Sequence, residues 1–203
     1  MRGVSFNIRA GEVLGLTGLV GAGRTETARL LFGADRPEHG VIRLDGKPLK
    51  INSPRDAIRQ GICLLTEDRK THGLVLGQTA RENFGLPNLS QFASLGFIRQ
   101  REESREFLRY VDQIQIKIAD PEQITGTLSG GNQQKVVLAK WLQRNAEVIL
   151  FDEPTRGIDV GAKYEIYQLI NRLATEGKAI LMISSELPEV LGMSDRILVM
   201  NEG

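Results

Sequence analysis

Gly18-Leu-Val-Gly-Ala-Gly23-Arg24-Thr25 is the stretch that decides how this chain reads. It follows the apolar run Glu12–Thr17 and leads into Arg24–Phe32, where Ala28, Leu31 and Phe32 recur at helical spacing. Strand, Gly-rich loop and helix in that order have the form of a phosphate-binding loop. Such a loop must bring backbone N–H groups against phosphate oxygens and open a helix. Gly18, Gly21 and Gly23 permit the backbone geometry and the close approach, and Leu19, Val20 and Ala22 complete the candidate cradle. The helix start adds its positive dipole end. Thr25 offers a hydroxyl to Mg²⁺. Arg24 stands where lysine usually reaches the phosphates; it keeps the charge, but its guanidinium is longer, planar and forked. Taken alone, the same residues also fit a plain Gly-rich turn between a strand and a helix.

A second constellation lies downstream. Val148–Phe151 is an apolar strand pattern that ends in Asp152-Glu153. Carboxylates at the C-terminal end of a parallel strand lie where ligands bind in α/β sheets. Asp152 would hold Mg²⁺, directly or through water, and Glu153 would polarise an attacking water. The plainer alternative is a turn acid or a helix cap. Leu128-Ser129-Gly130-Gly131 opens a helical segment, with Ser129 fitting an N-cap and two glycines allowing a ligand close to the backbone. As a lone tetrapeptide it carries little; its place upstream of Asp152 makes it specific.

The remaining pattern predicts an α/β chain. Gly3–Ile8 alternates as a half-buried strand does. Asp45-Gly46 between Val41–Leu44 and Lys47–Lys50 is a hairpin signal. A short helix is expected over Pro54–Gln60 behind a Ser53 cap, and a buried strand over Gly61–Leu65. From about 75 to 127 the apolar residues space helically, with a last helix over Gln100–Gln113. Helix is expected again over Gly131–Arg144, Ala162–Glu176 and Leu187–Leu191. Strands are expected over Val148–Asp152, Ala179–Ser184 and Arg196–Met200. Strands alternating with helices imply a mainly parallel sheet covered on both faces, with a small antiparallel part and an inserted helical subdomain.

With these motifs in hand, the chain resembles an ATP-binding cassette (ABC) ATPase over nearly its whole length. The resemblance implies a single P-loop NTPase-type domain, with residues 1–74 and 128–203 as core and about 75–127 as a helical subdomain that docks on a membrane partner. It implies that Gly18–Thr25 binds ATP in cis, with Mg²⁺ on Thr25 and Asp152, and with Glu153 as the catalytic general base. Leu128, Ser129, Gly130, Gly131 and Gln133 would serve as a signature for ATP held by the opposite cassette. Gly157 and Asp159 resemble the loop that crosses the dimer interface. Glu67 and Ser185 occupy positions where most ABC ATPases have glutamine and histidine near the γ-phosphate. With Arg24, three such positions are altered, so the site is expected to be partly degenerate.

Narrower motifs are similar to those of monosaccharide importers of the ribose/galactose/xylose class: Thr66-Glu67-Asp68-Arg69-Lys70-Thr71-His72-Gly73-Leu74 and Asp152–Lys163. Gly21-Ala-Gly-Arg-Thr, Glu67–Lys70 and Ser184-Ser185-Glu186 look like the second cassette of a two-cassette polypeptide, shortened here at both ends. The implied partners are the N-terminal cassette, transmembrane permease subunits and, indirectly, a periplasmic sugar-binding protein, at the cytoplasmic face of the membrane. A non-catalytic dimerisation module and an ABC ATPase without a membrane partner are the rival readings.

Composition bounds these readings. The 203 residues carry 26 Lys and Arg against 25 Asp and Glu, so no global field draws the chain to nucleic acid. Cys63 is the single cysteine, which precludes an internal disulfide. Its apolar runs are too short to span a bilayer. Of the two histidines, His39 is expected to be exposed, and His72 carries no assigned chemistry. Phe6 is expected in the core rather than against an adenine.

Overall fold

A computed structural model describes residues 3–94 and 96–201. In chain order the elements are β1 (Val13–Gly18), α1 (Arg24–Phe32), β2 (Ile42–Leu44), β3 (Lys47–Leu49), α2 (Pro54–Arg59) and β4 (Ile62–Leu65). A π-helical turn (Arg69–Gly73), α3 (Ala80–Gly85), a 3₁₀ turn (Leu86–Asn88), α4 (Leu89–Phe92), β5 (Ala93–Ser94), β6 (Phe97–Ile98) and α5 (Gln100–Gln113) follow. Next come a 3₁₀ turn (Thr125–Thr127), α6 (Gly130–Leu142), β7 (Val148–Asp152), α7 (Val160–Thr175), β8 (Ala179–Ile183), α8 (Leu187–Met193) and β9 (Arg196–Met200). The described residues group into two compact units: 1–64 with 146–154 and 170–203, and 65–145 with 155–169.

The first unit is built on a five-stranded sheet in the order β4-β7-β8-β1-β9, with β1, β7, β8 and β9 parallel. Leu14, Leu16, Ile149, Leu150, Ile180 and Leu181 show no exposure at all, as strands covered on both faces require. The expected α/β class with a mainly parallel sheet is therefore the observed one. The antiparallel part is the β2–β3 hairpin, where Asp45 (φ 50°) and Gly46 (φ 76°) both adopt the left-handed backbone that a two-residue turn demands. Ser53 caps α2 by accepting from the Asp56 N–H, and Pro54 takes the first helical turn, where its missing N–H is harmless.

The strand expected over Gly3–Ile8 does not form. Burial alternates there as the pattern implies, but no neighbouring backbone among the described residues pairs with the segment, and alternation alone does not make a ladder. Phe6 is half-buried rather than in the core. His39 and His72 are both exposed. Cys63 is buried, and burial pushes its thiol up.

The second unit is mainly helical. Thr79 and Glu82 form a reciprocal capping box at the start of α3. Phe84, on α3, is fully buried, with the rings of Phe92, Phe107 and Tyr110 centred 6.0, 5.3 and 5.6 Å away. Beside this cluster the buried Arg81 guanidinium is neutralised by Glu103 and by Glu122, whose Oε2 accepts from Nη2 at 3.0 Å. The helical expectation for 75–127 omitted the two-residue strands β5 and β6, which are too short for any alternation to be read. No helix among the described residues is long and apolar enough to cross a membrane.

Phe84→Ala removes the ring at the centre of that cluster. It should lower stability by about 3–5 kcal/mol, as for large aromatic truncations in closed cores. Urea unfolding followed by near-UV circular dichroism measures this; a loss under about 1 kcal/mol would contradict the cluster's place as the core of the second unit.

Candidate nucleotide site

Register sets the site in the first unit. Asp152 on β7 stands opposite Ile183 on β8, and Ile183 stands opposite Leu16 on β1. Because the strands are parallel, the next residues of all three emerge on one edge: Glu153 after β7, Ser184 and Ser185 after β8, and the Gly18–Thr25 loop after β1. Apolar side chains fill the strands below, so the polar groups collect at this edge.

The loop has the features a phosphate cradle needs. A Cβ at Gly18 would lie against the Met200 carbonyl oxygen, closer than Cβ atoms come, so only glycine fits beside β9. Gly23 takes the left-handed conformation (φ 93°) at the N-cap of α1, and no side chain caps the helix there. Leu19 and Val20 are exposed, and Ala22 is buried. Arg24 and Thr25 form the first turn, with Thr27 Oγ1 tied back to the Gly23 carbonyl at 2.8 Å.

Three side chains from other segments, Asp152, Glu153 and Ser185, gather beside Arg24 and Thr25 of this loop. Thr25 Oγ1 donates to Asp152 Oδ1 at 3.3 Å. Burial pushes the Asp152 carboxyl up to about 6; the Thr25 bond opposes this, and the neighbouring Glu153 charge adds to it. Arg24 Nη1 lies 3.5 Å from Glu153 Oε1, with side-chain exposures of 11% and 9%. Ser185 Oγ donates to Glu153 Oε2 at 3.0 Å. Glu153 itself carries φ 49°, unusual for a residue with a side chain, while its N–H bonds the Ile183 carbonyl. Arg24 Nη1 is buried without a hydrogen-bond acceptor. A buried, unsatisfied guanidinium nitrogen beside an uncapped helix start suits an anion. The Thr25 hydroxyl and Asp152 carboxylate are hard oxygen donors, as Mg²⁺ prefers. No cluster of three or more His, Cys, Asp or Glu able to hold a metal occurs among the described residues.

The second unit holds the other expected residues. Ser129 caps α6, its Oγ accepting from the Asn132 backbone N–H at 3.4 Å and also from the Asn132 side-chain amide at 3.0 Å. Leu128 and Gly131 are buried, and a Cβ at Gly131 would sit 2.7 Å from that of Ala162. Buried Gln133 donates to the carbonyls of Thr125 and Leu128 at 3.3 and 3.2 Å, which shapes the turn ahead of Gly130. Asp159 caps α7 through the Ala162 N–H at 3.0 Å, and Gly157 is exposed with φ 67°. Glu67 is ion-paired with Arg156.

Arg69 donates to the Arg156 carbonyl at 3.1 Å and to Gln133 Oε1 at 3.4 Å, and a Cβ at Gly130 would meet its Nη2 at 2.6 Å. Sequence reasoning assigned no role to Arg69 or Arg156. Their contacts join segments far apart in the chain, and only the unusual acid at Glu67 hinted that a cation should answer it.

The profile described as ABC transporter matches residues 1–156. A ribose import ATP-binding protein of Geobacillus kaustophilus is 54% identical over 200 residues, covering 98% of this chain and 40% of that protein. A ribose import ATP-binding protein of Clostridium perfringens is 53% identical over 204 residues, covering 100% of this chain and 41% of that one. The chain thus spans about two fifths of the length of the curated relatives it matches. Among solved structures, a nucleotide-free ATP-binding cassette from an ABC transporter superposes with a TM-score of 0.84 at 23% identity, covering 99% of this chain and 81% of that one. A dimeric cassette bound to ADP and phosphate superposes with a TM-score of 0.80 at 24% identity, covering 98% and 84%. Those two likenesses speak to the fold.

Gly18→Ala should destabilise the chain by about 1–3 kcal/mol, because the added methyl must displace the β9 backbone. Gly21→Ala meets nothing within 4 Å and has only the positive φ of 83° to pay for, so it should be milder. Thermal unfolding of the two variants decides the order; the reverse order would contradict the packing of the loop against β9.

Proposed function

The chain belongs to the ABC transporter family, and from that premise we propose that it is a cassette binding ATP with Mg²⁺ to energise monosaccharide import. One observation carries this: the Gly18–Thr25 loop, Thr25, Asp152 and Glu153 meet at one edge of a parallel sheet. The loop N–H groups and Arg24 take the phosphates. Thr25 and Asp152 hold Mg²⁺, which when bound neutralises phosphate charge. Glu153 orients and deprotonates the attacking water, and Ser185 holds its carboxylate.

Leu128, Ser129, Gly130, Gly131 and Gln133 present their helix start to ATP on an opposite cassette, with Gly157 and Asp159 at that interface. The span of two fifths of the relatives supports one cassette of a two-cassette polypeptide, and Arg24, Glu67 and Ser185 support the second of the two. Its partners are then the N-terminal cassette, permease subunits and, through them, a periplasmic sugar-binding protein, at the cytoplasmic face of the plasma membrane. The names of the import relatives support a ribose- or galactose-type sugar.

A second reading is favoured by one contact: Arg24 engages Glu153. On that reading the cassette is a nucleotide-dependent dimerisation module whose own site does not turn over.

Ser129→Arg in the full-length transporter should cut uptake of labelled sugar by about a hundredfold, the scale of losing a γ-phosphate contact. Arg24→Ala, confined to the altered site, should leave most uptake in place. Equal losses in the two variants would contradict the division of labour between the sites.

A further inference from the structure

Glu153 is gripped from two sides. Arg24 Nη1 approaches Oε1 at 3.5 Å and Ser185 Oγ donates to Oε2 at 3.0 Å, so both carboxylate oxygens are engaged. The grip on the arginine side is incomplete. The separation exceeds a hydrogen bond, and Nη1 remains buried without an acceptor. Both side chains are about nine-tenths buried, so each gains from the other's charge. Arg24 is also the first residue of α1, directly after the uncapped Gly23. The same residue thus opens the helix behind the phosphate cradle while its guanidinium lies against the carboxylate. Its fork of five donors lets it serve either, where a lysine ammonium is a single point charge.

We propose that Arg24 is a shared cation. It holds Glu153 while the loop carries no phosphate, and it yields that carboxylate to grip the terminal phosphates of the nucleotide. Nucleotide binding and release of Glu153 are then one event. This rests on the reading of Gly18–Thr25 as the phosphate loop. Two consequences follow. Binding must displace an existing partner of Arg24, so apparent affinity is lower than the cradle alone would give. Glu153 becomes free to orient water only after phosphate arrives, with Ser185 keeping the carboxylate in place.

The test is a double-mutant cycle read by titration calorimetry with Mg·ADP, which involves no turnover. Wild type, Arg24→Ala, Glu153→Gln and the double variant are compared, with circular dichroism to confirm that each folds. Glu153→Gln removes carboxylate–phosphate repulsion in either background. Only where Arg24 is present does it also remove the competing partner. It should therefore tighten ADP binding more in the wild-type background, by at least about threefold over its effect in the Arg24→Ala background. Equal tightening in both backgrounds, or more in the Arg24→Ala background, overturns the shared cation while leaving the nucleotide reading intact. No ADP binding by any of the four overturns the nucleotide reading and the proposal with it. If Arg24→Ala does not fold, Arg24→Gln, which keeps part of the side chain and an amide donor but no charge, supplies the second background under the same criterion.

Discussion

The first unit depends on the parallel register of β7, β8 and β1. With Asp152, Ile183 and Leu16 in line, three strands whose side chains cannot meet water all end at one edge. The polar side chains of the candidate site stand at that line or beyond it: Asp152 closes β7, and Glu153, Ser185, Arg24 and Thr25 follow the strand ends. The loop adds a tight constraint: Gly18 lies against the Met200 carbonyl, which fixes where the cradle begins. A one-residue slip of β7 would turn Asp152 to the other face of the sheet and break its bond to Thr25.

Charge then decides what the edge does. Asp152 is buried with a hydroxyl for company, and the cation that acts on it among the described residues is the nearby Arg24. Glu153, one residue on, has an arginine and a serine about it. Two adjacent carboxylates thus sit in different surroundings, one suited to a metal and the other to a proton. The same kind of pairing recurs in the second unit, where Glu67 meets Arg156 and Arg69 binds the Arg156 carbonyl. In both places an acid and an arginine answer each other's charge.

Much of this was legible in the residues because it is local. The apolar run ending in Asp-Glu marks β7 with both of its bounds, and the i, i+4, i+7 spacing of Phe107, Val111 and Ile114 marks α5 with both of its own. Asp45-Gly46, the Ser53 cap and the Ser129 cap are short-range chemistry and form as read. What was not legible is long-range. Gly3–Ile8 has the pattern of a strand but pairs with no neighbour among the described residues. The β5–β6 hairpin is too short to show a period. The Arg24–Glu153 and Glu67–Arg156 pairs join positions whose proximity only the folded backbone creates. The candidate residues were found by motif; how they restrain one another required coordinates.

The central claim is that nucleotide phosphates rest on Gly18–Thr25 beside Asp152 and Glu153. Amide hydrogen exchange with and without saturating Mg·ADP tests it most directly, since bound phosphates engage the N–H groups themselves. The account predicts slowed exchange concentrated in residues 20–25 and at 152–153. Unchanged exchange there, with protection arising elsewhere in the chain, would contradict it.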